Sequence, residues 1–215
     1  MVVTPVVSMA SRIVGHRGMA GRGGGGMRDF RELVETRYSC RNFTSQPVER
    51  DKIEACIEAA RLAPSACNAQ PWSFVVVDEP ERLGNATAAA VSGIYRFSRF
   101  ITKAPVLIAI LADRGSFLTK AGSFVRNTRF YLLDIGIVSE HLVLQAAELG
   151  LGACHVGWFN EKALAEALNL PKRTEIPLLI ALGYPEPSKR QNDPIRRQAK
   201  SDTRKSANEI VVYNP

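Results

Sequence analysis

A long apolar stretch in the second half of the chain constrains the fold more than any other feature of the sequence. Residues 124–149 predict one long helix, which is apolar on nearly every face between 131 and 143. A helix that is apolar all round has to be buried on all sides. In a chain of 215 residues, we expect this helix to pack either in the core against one sheet or against a second subunit.

The other periodic segments indicate a single α+β domain. Helices precede the first strand and the elements do not alternate strictly, which argues against a doubly wound parallel sheet. No G-x-G-x-x-G motif follows a strand, so the usual dinucleotide-binding fingerprint is absent. Asp29 and Glu32 have the spacing of a capping box at the first helix. The predicted helices cover 29–37, 49–62 and 161–168, and the predicted strands cover 72–77, 105–112, 153–157, 176–183 and 209–213.

The first 27 residues differ in composition from the rest of the chain. They begin with a short apolar run and continue with a basic, glycine-rich tract that contains no acidic residue. We expect a flexible basic, glycine-rich extension at 1–27, followed by the folded domain at 28–215. A transit peptide and a misassigned start before Met27 are the alternatives.

The net charge of +7 lies mostly at the two ends of the chain. Residues 1–28 hold four arginines and no acid, and residues 189–205 hold seven basic and two acidic residues, whereas residues 29–188 hold 17 basic and 18 acidic residues. A nucleic-acid-binding face needs its basic residues gathered on the folded surface, so we expect no nucleic-acid partner. No uninterrupted apolar run reaches the ~20 residues that a bilayer requires, so we expect no membrane partner. A weaker alternative is that the basic ends anchor an enzyme domain to a membrane or to nucleic acid.

The cysteines and histidines do not have the spacing of a metal site. Cysteines stand at 40, 56, 67 and 154, without a C-x-x-C pair, and histidines stand at 16, 141 and 155. This pattern indicates a reduced, cytoplasmic protein with free thiols and without a protein-bound metal. Cys67 has no neighbouring base or cation in the sequence that would activate it, and we expect it to be a packing thiol.

The run from Arg37 to Phe43 places two arginines four residues apart around Ser39. If the preceding helix continues through it, Arg37 and Arg41 lie on one face and can meet a phosphate. The alternative is a pair of surface salt bridges on a helix.

The run from Ala63 to Trp72 is polar where a core segment would be apolar. Its amides, at Asn68 and Gln70, can donate and accept hydrogen bonds, which suits a heteroaromatic ring with carbonyl and nitrogen edges. The alternative is a polar loop that ends in a strand, with Trp72 as an ordinary core residue. Taken together, the two runs imply a cofactor with a phosphate at one end and a flat, polar-edged ring at the other.

With these motifs, the chain resembles the nitroreductase family of flavin-dependent oxidoreductases over about residues 28–215. Four segments carry the resemblance in the family's order: R-x-S-x-R-x-F at 37–43, A-P-S-x-x-N-x-Q-P-W at 63–72, the stretch 149–159, and Arg204-Lys205 followed by 209–213. It implies a mixed, mostly antiparallel central sheet flanked by helices, with the C-terminal arm exchanged in a homodimer. It also implies tightly bound FMN at the subunit interface.

The resemblance assigns roles to individual residues. Arg37 and Ser39 are expected to hold the FMN phosphate together with Arg204, with Lys205 a weaker candidate. Arg41 is expected to reach the ribityl chain and the N1/O2 edge of the ring, where positive charge tunes the potential of the flavin. The remaining cofactor-binding candidates are Tyr38 beside the phosphate motif, Pro64, Ser65, Ala66 and Asn68 from the partner subunit, and His155, Val156 and Gly157 at the strand end that lies over the flavin.

Three departures from the family pattern bear on these expectations. His155 stands where relatives vary, and we expect a packed or stacked histidine rather than a catalytic acid. Trp158 is larger than the residue often found there, and its bulk would favour flat, slender substrates. Arg96 or Arg99 stands near the position where many relatives place a lysine or asparagine that contacts the flavin, but neither is assigned to the site.

The implied activity is reduction of nitroaromatics, quinones or similar electron-poor small molecules by NADH or NADPH. Two half-reactions in one shared space predict ping-pong kinetics. No side chain is assigned as catalytic, because the flavin carries the chemistry. The alternatives are a flavin- or nucleotide-binding protein without turnover and the related activities of dehalogenation, enone reduction and flavin cleavage.

Overall fold

The computed structural model of the protein describes residues 29–113, 128–186, 188, 193–198 and 203–214. The predicted N-terminal extension, 1–27, lies outside the described residues. The helices are α1 (Phe30–Thr36), α2 (Arg50–Arg61), α3 (Pro80–Ala90), α4 (Phe130–Glu148), α5 (Glu161–Ala167), α6 (Pro194–Gln198) and α7 (Ala207–Ile210), with 3₁₀ segments at Ala66–Asn68 and Gly93–Lys103. The strands are β1 (Trp72–Val77), β2 (Val106–Ala112), β3 (Gly152–Val156) and β4 (Glu175–Gly183).

The four strands form one antiparallel sheet in the order β1-β2-β4-β3. The central strands β2 and β4 pair from Val106↔Leu182 onwards, and the register shifts between Ile110 and Ala112. Both strands read as continuous apolar runs because helices and loops cover both faces. The α+β expectation is confirmed. Among the described residues, the parallel component of the expected mixed sheet is limited to an isolated bridge between Ser39 and Ala153.

The long helix α4 packs one face into the core and leaves the other exposed. Seven of its residues are buried, and its largest packing partner is α2. Leu132, Leu133 and Ile137 are 36%, 57% and 39% exposed. The expected burial on all sides is therefore not reached within one chain. In the described part of the chain, α4 is the one helix long and apolar enough to span a bilayer, but its packing is that of a core helix.

The predicted first helix is confirmed, but its predicted side-chain cap and the last predicted strand are wrong. The helix begins at Phe30 and ends at Thr36, Arg37 takes an extended conformation (φ −61°, ψ 132°), and the Asp29 side chain makes no capping bond. The predicted strand at 209–213 is instead helix α7 followed by exposed, extended chain. A strand needs an edge to pair with, and no described strand of the same chain pairs with this segment.

Asn160 caps α5 and ties the turn after β3 to the end of α3. Its Oδ1 accepts from the Ala163 N–H (3.1 Å), its Nδ2 donates to the Ser92 hydroxyl (2.9 Å), and its own N–H donates to the Ala90 carbonyl (2.8 Å). We expect Asn160→Ala to lower the free energy of unfolding by about 1–2 kcal/mol, because both side-chain bonds are lost. Urea denaturation measures this change.

The matched control is Asn85→Ala, on the exposed face of α3. It removes an exposed amide that caps no helix in the described part of the chain, so we expect stability within about 0.5 kcal/mol of wild type. Equal effects of the two substitutions would contradict the capping role of Asn160.

Candidate active site

The segment that contains Arg37, Ser39 and Arg41 lies along the outer edge of β3. Ser39 forms a parallel bridge with Ala153, and the Cys40 N–H donates to the Ala153 carbonyl at 2.9 Å. The expectation that Arg37 and Arg41 share one helical face is therefore wrong. An extended segment next to the strand presents both arginines instead, because pairing with β3 overrides the local helical tendency.

Arg37 lies in a cluster with His155 and Glu140. Its Nε is 3.6 Å from Glu140 Oε1, and its side chain is 22% exposed. The His155 imidazole hydrogen-bonds the backbone of Ser139 and lies within electrostatic range of Glu140 and Arg37. Helix α4 supplies Ser139 and Glu140, so this part of the site is held between α4 and β3. Nothing in the sequence marked Glu140, which is 103 positions from Arg37.

Burial is the main cause that lowers the pKa of His155. The nearby Glu140 carboxylate raises this pKa, and the Arg37 guanidinium lowers it further. Because the folded-state pKa is below the unfolded value of ~6.5, the unfolded chain binds more protons at acidic pH. This contribution to stability is full above the unfolded pKa and declines as the pH falls towards the folded pKa.

We therefore expect the unfolding free energy to fall as the pH drops below ~6.5, and His155→Gln to reduce this dependence. Denaturation at a series of pH values measures both slopes. A variant that keeps the wild-type slope would show that another group causes it.

Arg41 makes an ion pair that is more buried than that of Arg37. Its Nη1 is 3.1 Å from Asp193 Oδ2, and the two side chains are 16% and 6% exposed. The guanidinium also lies over the ring of Phe100, 5.8 Å from its centroid. Asp193 was not predicted, because its role depends on a contact across 152 positions. Beside this pair runs an open groove of about 720 Å³, which Arg99 also lines.

Tyr38 and the cysteines next to the arginines are structural neighbours of the site. The Tyr38 side chain hydrogen-bonds the Cys40 thiol, and Tyr38 packs against the core layer that contains Cys40. Burial raises the pKa of Cys154 to about 11 and also raises the pKa of Cys40. Neither thiol is a nucleophile near neutral pH.

The loop at 64–68 lies at the opposite edge of the sheet, immediately before β1. Three strand spacings separate β1 from β3, a distance of about 14 Å. The loop is anchored through the Ala66 N–H, which donates to Asp134 Oδ1 at 3.0 Å. Cys67, expected to be a packing thiol, is exposed. In one chain, the predicted residues Pro64, Ser65, Ala66 and Asn68 are therefore not gathered with the arginines.

The end of β3 presents backbone next to open space. Val156 is buried, whereas Gly157 is exposed, and a Cβ built on Gly157 would meet no atom within 4 Å. The next residue, Trp158, is 54% exposed. Its carbonyl accepts from the buried Ser98 hydroxyl at 2.6 Å, and its ring packs against Tyr95 with centroids 5.3 Å apart. Sequence reasoning missed Tyr95 and Ser98, which hold Trp158 in place.

The C-terminal cations are on the surface of the single chain. Arg204 and Lys205 belong to the described segment 203–214, which is exposed throughout. Arg204 donates to the neighbouring Thr203 carbonyl at 2.8 Å. One chain therefore does not bury these cations beside Arg37, and their expected phosphate contact stays a prediction. Arg96 is also exposed, on the same 3₁₀ helix as Arg99.

Known proteins share both the sequence and the fold of this chain. A family model described as the nitroreductase family matches residues 34–184. A putative NADH dehydrogenase/NAD(P)H nitroreductase of Archaeoglobus fulgidus is 29% identical over 167 residues, which cover 76% of this chain and 89% of the relative. A crystal structure of a nitroreductase family protein from Clostridium difficile 630 is 30% identical, with a TM-score of 0.67 over 87% of this chain and 99% of that one. An FMN-dependent nitroreductase from Clostridium difficile R20291 is 26% identical, with a TM-score of 0.61 over 85% and 98% of the two chains.

Relatives with other activities are also similar to this chain. A 5,6-dimethylbenzimidazole synthase of Rhodospirillum rubrum is 27% identical over 71% of this chain and 80% of the relative. An iodotyrosine deiodinase of Drosophila melanogaster is 26% identical over 75% of this chain and 64% of the relative. Sequence motifs, antiparallel α+β fold and family model agree over the body of the domain, and the chain belongs to the nitroreductase family.

Proposed function

We propose that the protein is an FMN-dependent oxidoreductase that uses NADH or NADPH to reduce nitroaromatics, quinones or similar electron-poor molecules. The observation that carries the proposal is the extended segment with Arg37, Ser39 and Arg41, held along β3 next to the open backbone at Gly157. Family membership supports the reaction class, because nitroreductase relatives are oxidoreductases.

The residues present fit a ligand with a phosphate and a flat ring. Arg37 is only partly exposed, and its ion pair with Glu140 is long, at 3.6 Å, so an anion can compete for its guanidinium. The space over Gly157 would be filled by a side chain at that position, as expected where a ring approaches the backbone. Glu140 is 46% exposed and stays solvated when Arg37 binds another anion.

When bound, FMN would supply the redox chemistry that carries a hydride from the nicotinamide and electrons to the second substrate. Arg37 and Ser39 would hold its phosphate through charge-assisted and hydroxyl hydrogen bonds. Arg41 would donate to the N1/O2 edge of the ring through guanidinium N–H groups that its ion pair with Asp193 does not use, and Asp193 and Phe100 would limit its movement. His155, whose pKa is lowered by burial, stays neutral near pH 7 and adds no second charge to the cluster.

The Tyr95–Trp158 pair would form one wall of the substrate space. Ser98 holds the Trp158 backbone through its carbonyl, and Tyr95 packs against the indole, so the indole cannot turn away without losing the ring contact. This restraint supports the expectation of flat, slender substrates.

A homodimer with FMN at its interface is part of the proposal. The exposed apolar residues Leu133 and Ile137 on α4 and Phe30 on α1 form surface that a second subunit would cover. The tail from Ile210 to Tyr213 exposes four further large apolar residues. A partner would supply the 64–68 loop, which one chain holds away from its own arginines. We also propose a cytoplasmic location, since none of the four cysteines is in a disulfide.

Anaerobic absorbance titration of the FMN-loaded protein with NADPH and then NADH tests the function. We expect the flavin band near ~450 nm to bleach with stoichiometric reductant and to return when a quinone or nitroaromatic is added. A bound flavin that neither nucleotide reduces would contradict the reductase proposal and favour the alternative of a flavin-binding protein without turnover.

A further inference from the structure

Asp134 is a buried carboxylate that the family motifs do not include. It lies in the first half of α4, on the face that packs into the core, and it is 4% exposed. Aspartate is almost never fully buried without a partner, because removing its charge from water is costly. A buried carboxylate on a core helix therefore indicates a specific partner.

That partner is the backbone of the 64–68 loop. Asp134 Oδ1 accepts from the Ala66 N–H at 3.0 Å. Ala66 is the first residue of the 3₁₀ segment, whose internal bonds begin with the Asn68 N–H donating to the Ser65 carbonyl. The first N–H groups of a helical turn have no acceptor within the turn, so Asp134 satisfies a donor that the loop itself leaves unpaired.

The loop that Asp134 holds is under backbone strain. Cys67, Asn68 and Gln70 have φ angles of 52°, 52° and 44°, in the left-handed region that costs a non-glycine residue about 1 kcal/mol or more. Bonds within the loop, such as that from the Gln70 N–H to Ser65 Oγ at 2.9 Å, stabilise this shape. They do not tie the loop to another element of the fold, whereas the bond to Asp134 ties it to α4.

We propose that Asp134 is a positioning residue that fixes the 64–68 loop in the conformation presented to the flavin. The inference rests on the proposed function, in which this loop contacts FMN. Glu140, six residues further along α4 and about 9 Å away, contacts Arg37. In the proposed homodimer, α4 of each chain thus contacts the arginine segment of one flavin site and, through Asp134, the 64–68 loop that the chain supplies to the other site.

Two substitutions separate the hydrogen bond from the burial of the side chain. Asp134→Leu removes the acceptor and keeps the branching at Cγ, whereas Asp134→Asn keeps an acceptor oxygen at the same place. Thr87→Val is the control, because Thr87 is a buried hydroxyl on α3 that bonds only its own helix in the described structure. If Asp134→Leu does not fold, Asp134→Ser, whose side chain is too short to reach Ala66, replaces it.

Hydrogen exchange of the peptide covering 64–71 and FMN titration of the apoprotein are the two readouts. We expect Asp134→Leu to raise amide exchange in this peptide about tenfold, as loss of one hydrogen bond predicts, and to weaken FMN binding about tenfold. Asp134→Asn and Thr87→Val are expected to stay within about twofold of wild type in both readouts. Wild-type exchange in folded Asp134→Leu, or equal effects of Asp134→Asn and Asp134→Leu, would overturn the proposal.

The two readouts keep failure of this inference distinct from failure of the proposed function. If the wild-type protein binds no FMN, the flavin proposal fails, and the exchange comparison alone decides whether Asp134 fixes the loop. If the wild type binds FMN and Asp134→Leu binds it equally well, the proposed function stands and the positioning role is wrong.

Discussion

Replacement of Arg37 by alanine is expected to weaken FMN binding by about 10- to 100-fold, the effect of losing a charge-assisted bond to a phosphate. The fold should survive, because Arg37 is partly exposed and its partner Glu140 is 46% exposed, which leaves no buried charge unpaired. Fluorescence titration of the apoprotein with FMN measures the dissociation constant, and thermal denaturation of the apoprotein checks the fold.

Arg31→Ala is the matched control for Arg37. Arg31 lies on α1, six positions earlier, and its side chain is 84% exposed in a surface pair with Glu35. We expect this variant to bind FMN as the wild type does, because the weaker binding expected for Arg37→Ala comes from losing a specific phosphate contact and not from a general loss of positive charge. Equal FMN affinities of Arg37→Ala and wild type would show that Arg37 does not belong to the flavin site.

Substitution of Gly152 by alanine is expected to cost about 3 kcal/mol of stability and to disturb the site, because overpacking in a rigid core is destabilising. A Cβ at this position would lie 2.6 Å from Cys40 Sγ and 2.8 Å from Cys40 Cβ. Cys40 is 1% exposed and packs in a buried hydrophobic cluster of the core. Its displacement would break the bond from its N–H to Ala153 that holds the arginine segment on β3. Chemical denaturation and FMN titration of the variant measure both consequences.

Gly84→Ala and a double substitution test this steric argument. No atom lies within 4 Å of a Cβ at Gly84 in α3, so alanine there should stabilise the protein by about 0.5–1 kcal/mol through helix propensity. Adding Cys40→Gly to Gly152→Ala removes both clashing atoms and should recover part of the lost stability. A Gly152→Ala variant as stable as the wild type would contradict the close packing of the segment on β3.

The elements with strong local signals were predictable from the sequence. The helix predicted at 49–62 is α2, Arg50–Arg61, because its apolar residues recur at helical spacing and Pro64 follows it. The strands predicted at 72–77 and 105–112 are β1 and β2 within one residue, because both are β-branched, apolar runs bounded by turn or proline residues. Helix α3 was missed, although Glu79-Pro80 is a helix start and the Glu79 carboxylate caps it at Glu81 and Arg82.

The parts of the site that depend on distant contacts were not predictable in the same way. The extended conformation of Arg37 follows from pairing with β3, and the partners Glu140, Asp193 and Asp134 lie far along the chain from the residues they contact. Local patterns carry no information about such pairs. The motifs therefore identify which residues belong to the site, and the fold determines how they are held.

The flavin content of the purified protein tests the central claim most directly. The absorption spectrum should show a band near ~450 nm, and flavin released by denaturation should be FMN at about one molecule per chain, directly or after reconstitution. Absence of bound flavin after incubation of the folded protein with excess FMN would contradict the proposed function of this nitroreductase-family protein.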